Sequence, residues 1–275
     1  LHGRSGHLWQ SRFFSCTLGL NRDSRHLFDF PAAIVYDSSM PRIARIVVPG
    51  CAHHVTQRGN NHQDVFFVDD DRRVYLGLLK RAAAHHGLVI HGYCLMTNHI
   101  HLVATPKEED SLAKALGRTH FAYAQYVNRL HGRSGHLWQS RFFSCTLDED
   151  HFWAALLYIE QNPVRARICR MPWRCAWSSA GAHVGEGDGS GVLDLTAWSR
   201  KTDAVNWRAA LVERQDPDQV REIRMRTQTG RPLAGDRFLS KLETKLGRRL
   251  RALPVGRPKG WRKKTAAEKK KVNDQ

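Results

Sequence analysis

His99 and His101 stand two residues apart in the run 98–106, Asn-His-Ile-His-Leu-Val-Ala-Thr-Pro, where apolar and β-branched residues alternate before a closing proline. On a strand the two imidazoles project from one side with Val103, while Ile100, Leu102 and Ala104 project from the other and can enter a core. Side chains two apart on a strand are separated by roughly 7 Å, close enough to converge on one divalent ion. The pair alone decides nothing, because 16 His in 275 residues make one His-x-His expected by chance. A second pair lies further on. Tyr158 and Asn162 are four residues apart, so a helix stacks a phenol and an amide oxygen on one face. A helix tyrosine can equally be a half-buried packing residue.

These groups need elements to hold them. In 148–163, Asp148 is an N-cap, Glu149 and Asp150 favour the positive end of the helix dipole, Phe152, Ala155, Leu156 and Ile159 keep helical period, and Pro163 is expected to end the helix. Upstream, 43–48 and 53–57 read as strand segments around Pro49-Gly50. Asp70 or Asp71 caps a helix with a stripe of Val74, Tyr75, Leu78, Leu79 and Ala82, stopped by Gly87. Residues 88–95 form a strand suited to antiparallel pairing with the His strand. Ser111 then caps a helix with Leu112, Leu116, Thr119, Tyr123, Val127 and Leu130 facing inward. This order predicts an α+β fold, a small sheet covered on one face by helices.

The motifs in sequence, His54-Val-Thr-Gln-Arg-Gly-Asn60, His99-Ile-His101, Gly135-His-Leu-Trp-Gln-Ser-Arg-Phe142 and Tyr158-Ile-Glu-Gln-Asn162-Pro163-Val164, resemble the His-hydrophobic-His single-tyrosine nucleases, specifically the REP-associated tyrosine transposases. The resemblance runs from about residue 40 to about residue 182. It implies a ferredoxin-like antiparallel sheet with the metal on its open face. It also implies a divalent ion, Mg²⁺ or Mn²⁺, held by His99, His101 and Asn162, with Tyr158 attacking DNA to leave a 5′ phosphotyrosine and a free 3′ hydroxyl. The implied partner is single-stranded DNA or a palindromic repeat hairpin, met by a monomer or homodimer. Arg58 and Gln57 are candidate helpers.

Composition points the same way. A net charge of +17 and a pI near 10.1 favour a polyanionic partner. Loop 131–146 offers Arg133, His136 and Arg141 as DNA contacts; Trp138 and Phe142 either stack on unpaired bases or pack beneath the loop. Six Cys without a C-x-x-C pair or disulfide-like spacing predict free thiols in a reducing compartment. With no signal-peptide pattern and no run of eighteen apolar residues, the expected location is the cytoplasm.

The expected layout has five parts. Residues 1–39 are an extension whose first eighteen residues recur without change at 130–147. A catalytic domain spans 40–183, a Gly-rich linker 184–206, a helical appendage 207–250 and a disordered basic tail 251–275. From Arg248 on, eleven Lys/Arg face two acids, a composition that strengthens DNA binding without specificity. Two rivals to the transposase reading stand: a non-catalytic sequence-specific DNA-binding protein with structural histidines, and a metal-dependent hydrolase that uses water.

Overall fold

The computed structural model describes residues 44–199 and 202–251. The extension 1–39 and the basic tail from 252 onward, with its Gly256-Arg257-Pro258-Lys259 run, lie outside them. Four strands and seven α-helices organise the described residues: β1 (His53–Arg58), α1 (Asp69–His85), β2 (Leu88–Met96), β3 (His99–Pro106), α2 (Ser111–Leu130), β4 (Phe143–Thr146), α3 (Glu149–Arg165), α4 (Thr196–Ser199), α5 (Ala204–Val212), α6 (Pro217–Thr229) and α7 (Asp236–Leu246). The sheet order is β2-β3-β1-β4, and every neighbouring pair is antiparallel. Strands joined through a helix are thus separated by one inserted strand, which is the ferredoxin-like arrangement.

Alternation along the strands builds two cores. Val55, Ile100, Leu102, Ala104 and Leu95 face one side, where α1 and α2 bring Tyr75, Leu79, Leu112, Leu116 and Tyr123. Val103, Cys94, Met96 and Cys145 face the other, against Ala155, Leu156 and Ile159 of α3. Burial of the apolar area on each side, at roughly 25 cal/mol per Å², is what holds helices to sheet. Strand β2 carries a bulge between Ile90 and Gly92. The extra residue exchanges faces, so Ile90 shares a core with Tyr93 and Leu95 rather than with Cys94 and Met96.

The second face is not open as the resemblance implied. Helix α3 lies on β2 and β3, and α6 lies on β4 and β1. Trp207 and Leu211 of α5, Val220 and Ile223 of α6, and Leu233 all enter the core on that face. These C-terminal helices, too poor in large apolar residues for a core of their own, share this one.

Three local expectations are corrected. Among the described residues of 43–48 there is no strand; Ile46 and Val48 bury instead against Leu242 and Leu250, so their alternation serves a strap under α7. Loop 131–146 contains a strand, β4, whose Ser144 and Cys145 pair with Val55 and His54. Pro163 does not end α3, which runs to Arg165. A proline in the last turn forfeits only its own N–H bond, and the Ala166 N–H still closes onto Asn162 C=O. The expectation of free thiols also fails in one place. Cys169 and Cys175 are bonded with Cα atoms 6.0 Å apart, brought together by the single turn at Pro172–Arg174. No helix among the described residues is long and apolar enough to cross a membrane.

Glycine at 92 sets how closely α3 approaches the sheet. A Cβ there would lie 2.3 Å from Leu156 Cδ1 and 3.1 Å from Ser179 Oγ, both inside the core. Gly92→Ala is expected to cost about 1–3 kcal/mol by overpacking, and Gly92→Val more. Chemical denaturation reads this directly, and an unchanged midpoint would show that α3 can yield.

Candidate active site

Register brings the chemistry to one face. Across β1 and β3, Arg58 pairs with His99, Thr56 with His101 and His54 with Val103, so His54, Arg58, His99 and His101 project from the same side. Helix α3 is capped by Asp148, which accepts from the His151 N–H at 3.0 Å. A buried carboxylate anchors its middle: Glu160 accepts from His183 Nδ1 at 2.6 Å, from the Ser179 hydroxyl and from Trp207 Nε1 at 2.8 Å. Glu160 is fully engaged by these donors, and Tyr158 is set against the histidines of the sheet. The Tyr158 ring meets His101 and His54 edge-on, each with centroids 5.6 Å away.

Hydrogen bonding fixes which imidazole nitrogens are free. The Thr227 hydroxyl donates to Ile223 C=O at 2.7 Å, so its oxygen must accept from His54 Nδ1–H at 2.7 Å. His54 is kept neutral because burial lowers its pKa to about 3. Its Nε2 therefore carries a lone pair and accepts from His101 Nδ1–H at 3.0 Å. That leaves the His101 Nε2 lone pair unengaged. His99 reaches the same state by another route. The Asn98 amide nitrogen donates to His62 C=O, which turns its oxygen to His99 Nδ1 at 2.6 Å. Burial, with Arg58 and Arg224 nearby, lowers the His99 pKa to about 4, and His101 is pushed well down by burial and by the neighbouring His99 and His54. Both rings of the motif are thus neutral, protonated on Nδ1 and basic on Nε2, the form a metal ligand needs.

Among the described residues no three His, Cys, Asp or Glu side chains form a ready-made metal cluster. Two imidazoles leave the rest of the shell to oxygen donors. Asn162, one turn beyond Tyr158, is buried, and its Nδ2 has no hydrogen-bond partner. That nitrogen can only donate; the amide oxygen is the atom that would join the two Nε2 lone pairs, and such a mixed nitrogen and oxygen set suits a divalent ion. Around the phenol stand two cations. Arg224 Nε donates to Tyr158 Oη at 3.3 Å, and the Arg165 guanidinium lies 4.5 Å from the ring centroid while donating to the Tyr158 carbonyl. Burial lowers the Arg165 pKa to about 10, which leaves it charged at neutral pH.

The remaining sequence candidates divide. Arg58 and Arg141 are exposed, as is His136, while Arg133 is half-buried, bonded to Gln63 Oε1 at 2.5 Å and set over Phe67. Trp138 is not a stacking platform. It is 9% exposed, its Nε1 donates to His120 C=O at 3.1 Å, and it packs with His120 and Tyr123; Phe142 is likewise inside. Gln57 is buried and holds Ser140 C=O, so it shapes the loop from the opposite face. Sequence reasoning quoted His54 without giving it a role, and it had no sight of Arg165, Arg224 or Thr227. Strand register reveals His54 and the placement of α6 reveals Arg224 and Thr227, whereas Arg165, seven residues after Tyr158 on α3, could have been found from helical spacing.

Residues 47–162 match the family model described as "Transposase IS200 like". No curated protein matches. Among solved structures, a REP-associated tyrosine transposase bound to a REP hairpin aligns at 16% identity and TM-score 0.47, covering 57% of this chain and 96% of that one. A candidate transposase from Deinococcus radiodurans R1 aligns at 22% identity and TM-score 0.32, covering 44% and 96%.

Proposed function

From the premise that residues 47–162 belong to the IS200-like transposase family, we propose that this protein cleaves and rejoins single-stranded or hairpin DNA with Tyr158 as the nucleophile, in the manner of the REP-associated members. The observation that carries the reading is the meeting, within one chain, of the Tyr158 phenol, two imidazoles with free Nε2 lone pairs and an arginine on the phenol oxygen.

A phenol with an ordinary pKa near 10 is a weak nucleophile at neutral pH. Arg224 and Arg165 place positive charge beside the Tyr158 oxygen and ring. In the step, Tyr158 Oη forms a bond to phosphorus, the bond from phosphorus to the 3′ oxygen breaks, and the leaving oxygen takes up a proton. A 5′ phosphotyrosine and a 3′ hydroxyl result. The phosphotyrosine conserves the phosphodiester, so attack by another 3′ hydroxyl can rejoin strands. A divalent ion, Mg²⁺ or Mn²⁺, held by His99, His101 and Asn162 would polarise the scissile phosphate and offset its developing charge. Arg224 is exposed, so an incoming phosphate meets its guanidinium beside the phenol. Arg58, at the end of β1 beside His99, with Arg141, Arg133 and His136, offers contacts for the flanking strand.

Incubating the protein with end-labelled hairpin DNA and Mn²⁺ should give a protein–DNA adduct that survives denaturation. His99→Ala and His101→Ala should each remove it, and a chelator should do the same to the wild type. Asn162→Ala should lower the yield more mildly, since it removes one neutral oxygen. Undiminished cleavage in chelator would discard the metal, and cleavage without an adduct would favour hydrolysis by water.

A further inference from the structure

Helix α6 lies outside the family-matched segment, yet it reaches the centre twice, through Arg224 at the Tyr158 oxygen and through Thr227 at His54. We propose that Thr227 is a positioning residue for catalysis, holding His54, and through it His101, in the tautomer that leaves His101 Nε2 free for the metal. The inference rests on the transposase reading above, but the relay itself is a property of the chain.

The chain of donors runs in one direction. Thr227 is 1% exposed and His54 is 1% exposed, so neither can turn to water for a partner. The hydroxyl proton goes to Ile223 C=O, which obliges Thr227 Oγ1 to accept from His54 and His54 Nε2 to accept from His101. The rings of His54 and His101 are nearly parallel, 10° apart with centroids at 5.2 Å, so the nitrogen contact sits between two fixed planes. Cys145 Sγ also approaches Thr227 Oγ1 at 3.3 Å and can donate to its second lone pair. Removing the hydroxyl leaves the buried His54 Nδ1–H without its acceptor. Moving that proton relieves the loss: His54 becomes protonated on Nε2 and donates to His101 Nδ1, and His101 must then carry its own proton on Nε2. The lone pair that would bind the ion is lost. Packing alone explains Val220 and Ile223, which fill the core, but not a hydroxyl aimed at an imidazole.

Thr227→Val keeps the shape and the β-branch while deleting the hydroxyl; Thr227→Ser restores it. Long-range ¹⁵N–¹H spectra of the metal-free protein should show wild-type His101 protonated on Nδ1, and Thr227→Val shifted toward Nε2 protonation. Mn²⁺ affinity measured by calorimetry should fall about 10–100-fold in Thr227→Val, the usual effect of losing an outer-shell partner, and recover in Thr227→Ser. Wild-type His101 protonated on Nε2 would overturn the proposal without any variant, and so would wild-type Mn²⁺ affinity in a folded Thr227→Val. Should the wild type bind no Mn²⁺ at all, the metal role of the relay falls with the metal site. The spectra would then still decide whether Thr227 sets the tautomer.

Discussion

Tyr158→Phe should abolish the covalent adduct while leaving affinity for single-stranded DNA within about twofold. The substitution removes one oxygen and keeps the ring that packs edge-on against His54 and His101, so the fold and the imidazole relay persist. What disappears is the oxygen that would form the phosphotyrosine, and the loss should be complete within detection. Other phenols are poorly placed to substitute. Tyr123 donates to Val65 C=O, Tyr126 donates to Asp71, and both belong to the core on the far side of the sheet. Desolvation raises the pKa of Tyr75 and of Tyr123, which makes their anions still less accessible. Labelled DNA, denaturing gels and mass spectrometry of the linked peptide provide the measurement. An adduct that survives in Tyr158→Phe and maps to Tyr126 would overturn the assignment.

Some of this was written in the chain and some was not. The face shared by His99, His101 and Val103 follows from strand alternation, and the sheet bears it out because Ile100, Leu102 and Ala104 are the residues that fill the opposite core. The α1 and α2 stripes were legible for the same reason, since period and capping are local. Partners fixed by register were not legible. Nothing near position 54 in sequence says that it will stand beside Val103 and bond the next imidazole along, because that depends on how β1 slides along β3. Ile46 and Val48 misled by the opposite effect: alternation reports burial of one side, and a strap against a helix buries one side as well as a strand does. Trp138 was ambiguous because an aromatic in a Gly- and Arg-rich loop serves either packing or stacking, and only the carbonyl waiting for its indole N–H decides. The contributions of α6 come from a segment so polar that it read as an appendage.

Mild acid should unfold this protein well above the carboxylate range. His53, His54, His101 and His120 are all buried, and burial is the leading cause that lowers each pKa, to about 4, about 3, well below 6.5 and about 3 respectively. His99, partly buried, is lowered to about 4. In the unfolded chain each titrates near 6.5. Between that value and the folded pKa the unfolded state binds more protons, so stability is full above about pH 6.5 and falls as the pH drops toward 4. Each such histidine contributes a slope of up to about 1.4 kcal/mol per pH unit. With His91, whose pKa burial also lowers, six of them set an upper bound of about 8 kcal/mol per unit, against a total stability of about 5–15 kcal/mol for an ordinary domain. The midpoint of acid unfolding should therefore lie between about pH 4.5 and 5.5, before most carboxylates are protonated. Circular dichroism across a pH series locates it, and proton uptake on unfolding at pH 5.5 should amount to several protons per chain. His120 offers a check away from the active-site face, since it lies among Tyr75, Trp138 and Phe142. His120→Asn should lower stability at pH 7, where the Tyr75 hydroxyl loses its imidazole partner, but reduce the acid slope by about one proton. A midpoint below pH 4 with unchanged slope in that variant would mean these imidazoles are hydrated and not kept neutral by the core.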